Sequence, residues 1–147
     1  MISVDSNLLL YAFSAASPHH RAARAFLEKI STREDVAISE FVLAEFYLLL
    51  RNPAVLERPL GAAEAAEVIA AYRQHPLWQT VGFPPRSREL HDRLWEMAAS
   101  QNFARRRIYD ARIALSLLAF GVNQFATLNV KDFKDFGFTK VWNPLSK

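Results

Sequence analysis

The stretch Met1-Ile2-Ser3-Val4-Asp5-Ser6-Asn7-Leu8-Leu9-Leu10 decides the fold. Met1 to Val4 is short and apolar, which suits a buried strand. Asp5-Ser6-Asn7 ends it, and helical material follows. The alternation continues outward. Pro18 opens a helix from His19 to Ile30, in which Ala22, Ala25, Phe26 and Ile30 recur at helical spacing. Asp35 to Ile38 reads as a second short strand, and Ser39 is placed to cap a helix from Glu40 to about Arg51, stopping near Pro53.

Further helical patterns cover Gly61 to Arg73, Arg86 to Ala99 and Tyr109 to Phe120, the last closed by Gly121. Trp78 to Gly82, Gln124 to Leu128 and Thr139 to Trp142 are strand candidates. There is no internal repeat, low-complexity tract or linker. Short apolar strands separated by helices predict one α/β domain over residues 1–147, with a mainly parallel central sheet flanked by helices.

Composition agrees. The 147 residues are 51% hydrophobic and 22% charged, which excludes a disordered tail, a fibre or a coiled coil. Without Cys there is no disulfide framework, thiol chemistry or cysteine-ligated zinc. Lys plus Arg number 18 and Asp plus Glu 15, so the net charge is 18 − 15 = +3. That excess alone is a weak pointer to polyanions. The uncharged run Ser6 to His20 follows Asp5, where a secretory signal would carry Lys or Arg. Ile113 to Val130 approaches transmembrane length but is interrupted by Gly121, Asn123, Gln124, Thr127 and Asn129. The expectation is a cytoplasmic protein with no membrane partner.

Three carboxylates occupy unusual places. Asp5 ends the first strand ahead of three leucines, Glu45 is the only charge between Phe41 and Leu50, and Asp110 precedes a mostly apolar helix. An ionised carboxylate in such surroundings is costly unless paired or bound to a cation. In a parallel α/β sheet all three could face the cleft beyond the strands' carboxyl ends. A hard divalent cation would relieve their mutual repulsion, and Mg²⁺ prefers oxygen ligands. Each acid has a plainer reading: Asp5 as an Asx turn or helix cap, Asp110 as a cap or a partner of Arg105, Arg106 or Arg107, and Glu45 as a buried ion pair with an arginine. Glu40, in a first turn, suits the helix dipole and is assigned to structure.

Other chemistries fail on residue grounds. Gly61, Gly82, Gly121 and Gly137 are the only glycines, too few and too scattered for a dinucleotide loop or P-loop. His19-His20, His75 and His91 lack zinc-binding spacing.

The strings Val4-Asp5-Ser6-Asn7-Leu8-Leu9, Val42-Leu43-Ala44-Glu45-Phe46-Tyr47 and Tyr109-Asp110-Ala111-Arg112-Ile113-Ala114 resemble the three acidic motifs of PIN domains, most closely those of VapC-type toxins of bacterial toxin–antitoxin pairs. The tail Ala126-Thr127-Leu128-Asn129-Val130-Lys131-Asp132-Phe133, then Val141-Trp142-Asn143-Pro144-Leu145, is similar to that family's C-terminal segment. The resemblance implies an endoribonuclease dependent on Mg²⁺ or Mn²⁺, built on a Rossmann-like sheet. Asp5 and Asp110 would ligate the metal, and Glu45 would complete the catalytic cluster, through bound water or as the orienter of the attacking water. It also implies a homodimer and a cognate antitoxin. Members often carry a fourth acid soon after the threonine of the last motif. Here Asn129 follows Thr127, and an acid appears only at Asp132. Thr127, Asn129, Asp132 and Asn7 are further candidate site members.

An acidic cleft repels phosphate unless cations flank it. Arg105, Arg106 and Arg107, with Arg112 further on, are the candidate RNA-binding cations; the plainer reading of the triplet is a solvated loop. Three functions remain: a toxin-type endoribonuclease, a catalytically weak PIN-like module that binds RNA or protein, and a structure-directed DNA nuclease.

Overall fold

A computed structural model describes residues 1–146. Strand β1 (Ile2–Val4) is fully buried and leads through Asp5 into helix α1 (Ser6–Phe13). Helix α2 (His20–Ile30) follows, then β2 (Ala37–Ser39) and α3 (Glu40–Leu50). Helix α4 (Ala62–Arg73), β3 (Gln79–Val81), α5 (Ser87–Ala98) and α6 (Arg107–Ala119) form the middle of the chain. The end carries β4 (Gln124–Ala126), a single helical turn α7 (Val130–Phe133) and β5 (Lys140–Trp142).

Every strand pairing is parallel. Val4 is level with Ala126, Ala126 with Trp142, and Ser39 with Val81. A parallel bridge between Ile2 and Val36 lays β1 beside the β2 segment, so the spatial order is β3-β2-β1-β4-β5. The chain runs outward from β1 in one direction, then returns to β1's other side with β4. The order therefore reverses between β1 and β4, and such a switch point opens a crevice at the carboxyl ends of the two strands.

The strands are shorter than the sequence predicts, because only three residues of each stay within ladder distance before the chain turns into a helix or loop. Two differences bear on function. Helix α6 begins at Arg107 instead of Tyr109, since the charged residues continue a turn in which Arg107 N–H donates to Ala104 O at 3.0 Å. Helix α7 lies outside every predicted element; four residues give no periodicity to detect.

The core forms where helices cover the sheet. Leu8, Leu9, Val42, Leu43, Phe46, Leu50 and Leu117 are all buried against Val4, Ile38 and Phe125. Most of the apolar excess of α1 and α3 is thus core filling, although Phe13 and Leu48 remain exposed. Among the described residues no helix is long and apolar enough to cross a membrane.

Candidate active site

Asp5 stands at the crevice. Its N–H donates to Ala126 O at 2.9 Å, holding the end of β1 against β4. Its Oδ1 accepts the Ser6 N–H at 2.8 Å and its Oδ2 accepts the Thr127 hydroxyl at 2.7 Å. The residue is only 5% exposed. It does cap α1, so the plain reading is correct as far as it goes, and the cap is also what fixes the carboxylate at the strand end. Burial pushes its pKa up, against hydrogen bonds from Thr127 and Ser6, and the charge of Asp132 adds to the rise.

Ser39 Oγ accepts from the N–H groups of Phe41 and Val42 and starts α3 directly off β2. Glu45 therefore falls on the second turn, where Ser6 Oγ donates to its Oε2 at 3.2 Å. The Glu45 carboxyl is pushed up to about 7, by burial first and then by the charges of Asp5 and Asp110, with the Ser6 hydrogen bond opposing. No arginine pairs with it among the described residues, so the buried ion-pair reading is not the one the fold adopts. Glu40, in contrast, does pair with Arg73 at 3.0 Å, in keeping with its structural assignment.

Asp110 lies in the first turn of α6. Its pKa is pushed up to about 6 by burial and by the charges of Asp5 and Asp132, with Arg107 opposing. Four carboxylates from four segments thus share one electrostatic field. Asp132, on α7, is exposed. Asn129 is exposed too, and its N–H donates to Thr127 Oγ1 at 3.0 Å. Asn7 Oδ1 is buried and has no hydrogen-bond partner among the described residues.

The arginines divide. Arg105 and Arg106 are exposed at the start of α6. Arg107 is not a free cation: its guanidinium lies over the rings of Phe136 and Phe103, at 4.7 and 5.7 Å, and 3.7 Å from Asp135. Arg112 lies over Phe41 and Tyr109, at 5.1 and 5.9 Å. Sequence reading missed Ser6, whose hydroxyl bridges to Glu45 only because α1 packs on α3. It gave no role to Phe41 and Tyr109 either, whose rings lie under Arg112.

The donor set fits a hard, hydrated divalent cation. All its atoms are oxygens, three of its carboxyls have raised pKa values through burial first and then the charges of their neighbours, and one buried amide oxygen is unpartnered. Among the described residues no three acids or histidines converge closely enough to enclose an ion unaided.

The PIN-domain family model matches residues 2–138. The chain belongs to the PIN-domain family. This PIN domain is 47% identical over 146 residues to Ribonuclease VapC24 of two Mycobacterium tuberculosis strains, covering 99% of this chain and 98% of theirs. Its backbone is similar to that of VapC20 from the same species, a toxin that cleaves the sarcin–ricin loop, with TM-score 0.62 and 21% identity over 85% of this chain and 87% of that one. It is similar also to a chain of VapBC2 from Rickettsia felis bound to a promoter DNA fragment, with TM-score 0.63 and 19% identity over 97% of this chain and 98% of that one. Those two likenesses concern the fold.

Proposed function

We propose that this PIN domain is a VapC-type endoribonuclease toxin that cleaves RNA phosphodiesters with the help of Mg²⁺ or Mn²⁺. It acts in the cytoplasm as a homodimer and is neutralised by a cognate antitoxin. The observation that carries the reading is that Asp5, at the switch point of the sheet, lies within electrostatic reach of Glu45, Asp110 and Asp132. The 47% identity, over nearly the full chain, to proteins named ribonucleases supports RNA as the substrate.

Asp5 and Asp110 would hold the ion, with Glu45 and Asp132 completing the acidic cluster. When bound, a hard divalent ion supplies charge neutralisation at the phosphate and lowers the pKa of bound water. The chain's own residues do the positioning. Thr127 and Ser6 fix the Asp5 carboxylate from two sides. Glu45, held by the Ser6 hydroxyl beside Asp5, would reach the ion through a bound water or orient the attacking water. Arg105, Arg106 and Arg112 offset the acidic field for an incoming phosphate. A groove of about 620 Å³ between α3 and α4, walled by Leu43, Tyr47, Leu48, Ile69 and Ala70, supports a partner protein.

The test is cleavage of a mixed cellular RNA pool by purified protein with Mg²⁺, Mn²⁺ or chelator, beside Asp110→Asn. Discrete metal-dependent fragments that vanish in the variant are expected. A folded, partner-free protein that never cleaves would transfer the reading to a PIN-like binding module, which the uncharged Asn129 favours. Equal cutting of the matching deoxy strand would indicate a DNA nuclease.

A further inference from the structure

Two large rings stand in water, and a third, half-buried against the core, lines a cavity with Glu45. Phe83, between β3 and α5, is 83% exposed, and Tyr109, in the first turn of α6, is 59% exposed. Phe41, at the start of α3, meets Phe83 edge to face, with centroids 5.2 Å apart and planes at 82°. Exposing the Phe83 and Tyr109 rings to water is unfavourable. A cavity of about 200 Å³ lies between α3 and α6, walled by Phe41, Glu45, Tyr109 and Arg112 together with aliphatic side chains. Its occupant is therefore a neighbour of the acidic cluster.

We propose that this cavity seats one nucleobase of a single-stranded RNA, stacked against Tyr109 and Phe41, with Arg112 engaging the phosphate of the same strand. The inference rests on the nuclease reading for the placement of the scissile phosphate, and on the rings for the base. An apolar peptide would gain from the rings and leave the arginine unused. A nucleotide uses both, because a flat π-face and an anionic phosphate are parts of one ligand. The Arg112 guanidinium is held over two rings, so it is positioned before the strand arrives. Bases paired in a duplex present no free face, so the seat selects single strands.

The experiment measures anisotropy of a labelled single-stranded RNA, about a dozen nucleotides of mixed sequence, in chelator so that nothing is cut. Tyr109→Ala is expected to weaken binding roughly 5- to 100-fold, the range for loss of one stacked base. Tyr109→Phe keeps the ring and stays within about twofold of wild type, and the same RNA as a duplex is bound equally by wild type and Tyr109→Ala. Unchanged melting of both variants shows that the fold is retained. Single-strand affinity in Tyr109→Ala within about twofold of wild type overturns the seat and gives the cavity to a protein segment instead. Equal losses in Tyr109→Ala and Tyr109→Phe overturn it as well. Cleavage with Mn²⁺ is scored separately. A wild type that cuts while Tyr109→Ala binds normally loses the seat and keeps the nuclease. A wild type that never cuts, while Tyr109→Ala loses binding, keeps the seat and loses the nuclease.

Discussion

The hydroxyl of Thr127 donates to Asp5 Oδ2 at 2.7 Å across 122 residues of sequence. It fastens the end of β4 to the end of β1 where the strand order reverses. Both residues are buried, and the same Thr127 oxygen accepts the Asn129 N–H at 3.0 Å. One hydroxyl therefore orients the carboxylate at the crevice and shapes the turn that leads to Asp132.

Replacing Thr127 by Val keeps the shape and removes the hydroxyl, leaving a buried carboxylate oxygen and a backbone N–H without their partner. The expected loss is about 2 kcal/mol of folding stability at neutral pH, measured by denaturant unfolding. Thr127→Ser should recover most of it. Equal stability of Thr127→Val and wild type would mean that the bond contributes nothing.

Glu45→Gln separates repulsion from hydrogen bonding. A glutamine can still accept from Ser6, whereas the charge that crowds Asp5 and Asp110 is gone. In metal-free buffer above pH 7 the variant should melt above wild type, and below pH 5 the two should converge. RNA cleavage should fall at least about tenfold if the Glu45 carboxylate orients the attacking water. A variant that melts below wild type at high pH would refute the repulsion.

How much of this could be read in advance depends on whether the cause was local. Asp5, Glu45 and Asp110 were legible because each is a charge set in an apolar run, and the periodicity around Glu45 also placed it on the second turn of its helix. The parallel α/β architecture was legible from strands too apolar to be solvated on either face. Arg107 was not. Three consecutive arginines read as a solvated flank, and the capture of the third by Phe103 and Phe136 depends on a packing partner from the far end of the chain. The role of Ser6 was hidden for the same reason, since its contact with Glu45 exists only once α1 and α3 meet.

The pH dependence of the metal-free protein has a definite sign. Glu45, ordinarily 4.5, is pushed up to about 7, and Asp110, ordinarily 3.8, to about 6; Asp5 moves in the same direction. The folded state then holds more protons than the unfolded chain between those limits, so stability falls as pH rises through the window. The contribution is complete below about pH 4 and lost above about pH 7. A divalent ion that binds the ionised acids should reverse the trend. Addition of Mn²⁺ should raise the melting temperature little at pH 5 and substantially at pH 8, because protons compete with the ion for the same oxygens. A shift that is the same at both pH values would remove these carboxyls from the ion's site.

Arg105 and Arg107, two residues apart, should fail in different ways. Arg105 is exposed, and if it meets an RNA phosphate then Arg105→Ala reduces the slope of log affinity against log salt by about 0.7, with melting unchanged. Arg106→Ala should do the same. Arg107 is sandwiched by Phe136 and Phe103 and sits 3.7 Å from Asp135, with its side chain 25% exposed. Its loss should cost about 1–2 kcal/mol of stability through the stacked contacts and leave the salt slope as in wild type. It also removes the cation that, among the described residues, holds down the Asp110 pKa, so more metal should be needed at pH 6 to reach the wild-type melting temperature. A reduced salt slope in Arg107→Ala, with melting unchanged, would place Arg107 on the RNA and empty the packing argument.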